Sequence, residues 1–92
     1  MNLYFISQDE YNGHDTYSDA VVCAEDEHEA RNIHPNGKYA FRNDGWYDKS
    51  GKKRDYNFGE WASTPANVKL ELIGTAKEGI KKGVVCASFH AG

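Results

Sequence analysis

Only one helix announces itself in this sequence, and it is short. In "EDEHEARNIHP", residues 25–35, Asp26 stands where an N-cap side chain accepts from the backbone, and Glu29 three residues later completes a capping box. Glu27 and Glu29 also suit the positive end of the helix dipole. Pro35 forbids continuation, and Asn36-Gly37 completes the stop. The pattern predicts about two turns with Ala30 and Ile33 on the apolar face, too little to persist unless docked on something larger. The rest of the framework must therefore be sheet.

Strands are legible on both sides of that helix. Leu3 to Ser7 ("LYFIS") is rich in aromatic and β-branched residues, and Asp19 to Ala24 ("DAVVCA") is apolar on both faces, which predicts a central strand. The connection between them contains Asn12-Gly13, a hairpin signal. Further on, Thr64-Pro65 reads as the start of a single helical turn through Asn67. Val68 to Ile73 ("VKLELI") alternates, with Val68, Leu70 and Leu72 expected inward and Lys69 and Glu71 outward. Val84 to Phe89 ("VVCASF") is the last strand. The expected fold is α+β, a four-stranded antiparallel or mixed sheet in the order β-β-α-β-β, with one short helix and a long aromatic-rich loop. At 92 residues the chain supports one domain, 1–92.

A two-turn helix cannot cover both faces of four strands. The second face, or an edge, must be shielded by the segment 38–67, by another copy of the chain, or by both, so a homo-oligomer is expected. The segment Arg42 to Trp61, "RNDGWYDKSGKKRDYNFGEW", shows neither helical nor strand period, yet its two Trp, two Tyr and one Phe are too aromatic for a linker. Phe58 and Trp61 are expected to pack on the sheet. Trp46 and Tyr47, flanked by glycine and charge and followed by Lys52, Lys53 and Arg54, are instead the combination that stacks a planar ring while neutralising phosphate. The candidate ligand-binding set is Arg42, Trp46, Tyr47, Lys53, Arg54 and Tyr56; the same aromatics would also suit a protein hot spot.

Other chemistry is thinly supported. The net charge of −3 divides into −7 over residues 1–35 and +4 over residues 36–92, an acidic and a mildly basic part. That overall balance disfavours nucleic-acid binding. Cys23 and Cys86 lack zinc or disulfide-framework spacing and are expected to act as small buried hydrophobes in a cytoplasmic protein. The N-terminus has no basic flank to suggest a secretion signal, and no run approaches the roughly 18 apolar residues of a membrane helix. His14, His28, His34 and His90 form no metal-ligand motif, and His34 is expected at the C-terminal end of the helix, where its charge suits the dipole. No P-loop, nucleophile elbow or dinucleotide fingerprint occurs, so neither a catalytic residue, a metal nor a cofactor is assigned.

The stretches "YNGHDTYSDAVVCAEDEHEARNIHP" and "VKLELIGTAKEGIKKGVVCASFHAG" resemble small phage, prophage and bacterial proteins that carry no assigned chemistry. The strand-to-capped-helix junction "VVCAEDEHEAR" is also similar in style to short phage inhibitors of host defence. The resemblance implies a non-catalytic binding protein of the host bacterial cytoplasm. It would disable a defence system by sequestering a nucleotide-derived signal, or by blocking a defence protein through the acidic N-terminal half. Two other functions stay open: a small phosphodiester-cleaving enzyme using His14 or His90 with a tyrosine, and an interaction domain.

Overall fold

A computed structural model describes residues 1–10, 15–42, 45–53 and 60–90, the side chain of His90 excepted. Its elements in chain order are β1 (Asn2–Ser7), β2 (Thr16–Ala24), α1 (Glu27–Arg31), β3 (Tyr39–Arg42), β4 (Gly45–Asp48), β5 (Lys69–Thr75) and β6 (Gly83–His90), with a 3-10 turn at Pro65–Asn67 before β5. The outer strands form a four-stranded sheet in the order β5-β1-β2-β6, and every pairing in it is antiparallel. Asp19–Ala24, apolar on both faces, lies in β2, which is central as that pattern predicts, with β1 beside it.

The expected long loop is partly strand. β3 and β4 pair as a hairpin, with Ala40 opposite Tyr47 and Phe41 opposite Trp46. Each strand has four residues, only two periods of alternation, too few to stand out against the surrounding glycines and charges. The described residues thus form six strands where the sequence reading counted four.

The helix is shorter than predicted, at five residues. Its start follows the expectation, since the Glu29 amide donates to Asp26 Oδ1 at 2.8 Å. The Glu29 carboxylate reaches one residue further back than a capping box requires, accepting from the Glu25 amide at 2.8 Å. Its end comes before Pro35. The amides of Asn32 and Ile33 turn to the carbonyls three residues back, Glu29 and Ala30, and the Asn32 side chain donates to the His28 carbonyl at 2.6 Å. Those bonds tighten the last turn and close the helix.

Tyr4 and Ile6 of β1 and Ala20, Val22 and Ala24 of β2 point to one face and meet Ala30, Trp46, Trp61, Ala62 and Val68 in a single core. Ala20 and Ala24 are small, which leaves room for Ala30 of the helix and for the two indoles. Trp61 was expected to pack on the sheet and is 2% exposed; Phe58 lies outside the described residues. The helix and the hairpin therefore stand on the same face, whereas the sequence suggested that the aromatic segment would shield the other. Leu72 departs from its expected inward position. It pairs with Tyr4 on the core side but is 58% exposed, on the edge strand β5. Among the described residues, no helix is long and apolar enough to cross a membrane.

Candidate functional site

The hairpin has an inner and an outer side, and the alternation of its strands decides what each presents. Phe41 and Trp46 face the core. Trp46 is 1% exposed, its indole N–H donates to the Ala62 carbonyl at 2.9 Å, and its ring meets Phe41 edge-on at 5.4 Å between centroids. This corrects the expectation that Trp46 offers a stacking face. The signal for exposure, glycine and charge on either side, does not report which side of a hairpin the indole takes.

The opposite side carries Ala40, Arg42 and Tyr47. The Arg42 guanidinium carbon lies 5.2 Å from the centre of the Tyr47 ring, within cation–π range. Tyr47 is also bridged antiparallel to Lys53, which puts an exposed ammonium group on the same side. Three of the six predicted site residues, Arg42, Tyr47 and Lys53, are brought together here. Arg54 and Tyr56 lie outside the described residues.

Beside Arg42 and Tyr47 is a cavity of about 210 Å³ lined by Gly37, Lys38, Tyr39, Ala40, Arg42, Tyr47, Asp48 and Lys49. It is smaller than the roughly 300–1,000 Å³ of typical small-molecule sites, so it accommodates a ring or a phosphate group rather than a whole dinucleotide. Lys38, Tyr39 and Lys49 were missed by the sequence reading. The available signal was the alternation of Tyr39 and Phe41 against Ala40 and Arg42, which implies a strand with Ala40 and Arg42 on the outer side and Tyr39 and Phe41 turned inward. Asp48 is the one acid in the lining, and it is already engaged. Its Oδ1 accepts from the Ser50 hydroxyl at 2.6 Å and from the amides of Ser50 and Lys52 at 2.9 and 3.0 Å. The Ser50 hydroxyl, followed by the Lys52 amide, holds the Asp48 carboxyl below its ordinary range. The turn presenting Lys49 is thereby tied down. Lys38, Arg42 and Lys49 line the cavity with Tyr47, and Lys53 is bridged to Tyr47, while the Tyr39 ring packs inward on His34.

Behind the hairpin, His34 departs from the sequence reading. The chain leaves the helix before reaching it, and the side chain is 2% exposed among aromatic rings: Tyr39 at 5.0 Å and Trp46 at 5.1 Å, both edge-on. Its Nδ1 accepts from the Asn36 amide at 3.2 Å, and its Nε2 is 3.9 Å from the Glu60 carboxylate. It props the hairpin rather than serving the helix dipole.

Cys23 is buried and Cys86 exposed, and both are free thiols. They sit on neighbouring strands two positions out of register, since Cys23 pairs with Gly83 and Cys86 with Val21. The expectation of a buried role therefore fails for Cys86, which lies on an edge strand. Of the histidines offered for phosphodiester cleavage, His14 and the His90 side chain are outside the described residues. Among those described, no group of three or more His, Cys, Asp or Glu side chains is placed to hold a metal ion.

No protein-family model matches the chain, no curated protein matches it significantly, and no solved structure does so either. Function must be argued from the geometry.

Proposed function

We propose that this is a non-catalytic binding protein that holds a ring-and-phosphate ligand on the outer side of the β3–β4 hairpin. In this reading it sequesters a nucleotide-derived signal of bacterial defence in the host cytoplasm. The observation that supports the proposal is the Arg42–Tyr47 cation–π pair, with Lys53 bridged beside Tyr47. The Tyr47 phenol is a face on which a planar ring stacks, and the Arg42 guanidinium adds cation–π attraction beside it. Lys38, Lys49 and Lys53 stand around it to take phosphate oxygens, and Asp48 is turned to the backbone of its own loop, which limits repulsion of an anion.

Calorimetry and thermal shift with cyclic and ADP-ribose-derived nucleotides test this. A ligand that binds the wild-type chain should bind Tyr47→Ala about 5- to 150-fold more weakly, the range set by stacking energies of about 1–3 kcal/mol. Arg42→Ala should act in the same direction. Absence of heat and of thermal shift with every nucleotide removes the proposal.

A further inference from the structure

The sheet face opposite the core is apolar along the middle and upper part of its two central strands, while its lowest row, Lys69, Ser7, Asp19 and Ser88, is polar. Register places Leu3 beside Cys23, and Phe5 between Glu71 and Val21 with Cys86 next in the row. Leu3, Phe5 and Val21 are half-buried and Cys86 is exposed. Antiparallel sheets with one wet face alternate apolar and polar residues, but the central strands here are apolar on both faces. Among the described residues, this side is met by the Met1 side chain and by the strap 76–82 joining β5 to β6. The strap folds over the upper rim, where the Cys23 thiol lies 3.9 Å from the Met1 sulfur and 4.0 Å from the Ile80 carbonyl.

Charge is divided between the two ends of this face. The upper rim is the strap, with Lys77 and Lys81 exposed against one acid, Glu78. Lys82 turns to the helix side and pairs with Glu29 at 2.8 Å. At the lower rim, Asp19 shares the face and Asp15 is exposed close by, while Asp9 holds Lys69 at 2.8 Å. One end is thus basic and the other acidic.

We propose that this face is the interface of a two-fold homodimer, in which two sheets pack face to face with their strands running in opposite directions. That orientation sets the basic strap of each copy over the acidic rim of the other, twice by symmetry. The area also suits a second copy. Four strands about 4.8 Å apart and six residues long at about 3.4 Å each give a footprint of roughly 400 Å². That is about half of the roughly 800 Å² per partner of a standard interface, and projecting side chains and both rims add to it. The surface rests on different residues from the hairpin site and stands or falls separately from it.

Light scattering and native mass spectrometry of the wild-type chain should give twice the 10.3 kDa chain mass. Phe5→Glu should give the single-chain mass. Two charge-reversed variants, Lys77→Glu/Lys81→Glu and Asp9→Lys/Asp19→Lys, leave the apolar centre intact, so they test the interface even if Phe5→Glu does not fold. Each alone should dimerise roughly tenfold more weakly, and mixing the two should restore a heterodimer, because every rim then meets its opposite. A single-chain mass for the wild type overturns the proposal. So does a dimer indifferent to the charge reversals, or a mixture that fails to recover.

Discussion

Trp46 and Trp61 are 1% and 2% exposed and share one core, but their indole nitrogens differ. Trp46 donates to the Ala62 carbonyl, whereas Trp61 Nε1 has no hydrogen-bond partner among the described residues. Replacing either indole with phenylalanine removes similar apolar volume. At Trp46 it also strands a buried acceptor, which costs about 1–3 kcal/mol. At Trp61 it removes an unpaired donor. Trp46→Phe should therefore destabilise the fold by about 1 kcal/mol or more beyond Trp61→Phe in urea titrations; equal losses would mean that the Ala62 bond contributes nothing. The burial of Trp46 was hidden in the sequence because its core neighbour, Phe41, is a cross-strand partner. His34 was misplaced for the same reason: its aromatic surroundings come from β3, β4 and Trp61, brought together only by folding.

At the scale of elements, α1 illustrates how a five-residue helix is kept. Its first turn is capped by Asp26, and Glu29 binds both the Glu25 amide and the Lys82 ammonium. The Lys82 hydrogen bond, with the Glu25 amide second, holds the Glu29 carboxyl below its ordinary value of 4.5. Glu29 in turn raises the Lys82 amine above 10.5. Across the acid range the unfolded chain binds more protons at Glu29 than the folded one does. The contribution of Glu29 is thus complete above its ordinary value and is lost as pH falls through the lower folded value. That of Lys82 is complete below its ordinary value and is lost as pH rises through the raised one. NMR titration of Lys82→Met should return the Glu29 midpoint toward 4.5 and flatten the acid limb of stability; an unmoved midpoint would rule out the pair as the cause. The start of this helix could be read from the sequence because capping is local. Its end could not, because Asn32 and Ile33 turn toward 3-10 bonding before Pro35 is reached, and Ile33 goes on to bridge Ala40.

For the whole molecule, the decisive fact is that helix, hairpin and both tryptophans share one side of the sheet. If the bare side is closed by a second copy, folding and association are linked, and dilution favours the unfolded chain. The melting temperature should then rise with protein concentration for the wild type and be independent of it for Phe5→Glu, as scanning calorimetry over a concentration series would show. A concentration-independent wild-type transition would count against the linkage.

The four long strands and their antiparallel β1–β2 core followed from residue pattern alone, because apolar periodicity and turn chemistry act between near neighbours. So did the helix start, the 3-10 turn at Pro65–Asn67, and the excess of apolar strand surface over what one helix can cover. Tertiary structure alone decided that β3 and β4 pair, that Trp46 turns inward while Arg42 and Tyr47 turn outward, and which face is left bare. Those outcomes depend on contacts between residues far apart in sequence, where the energy of packing two surfaces together outweighs what any short stretch prefers by itself.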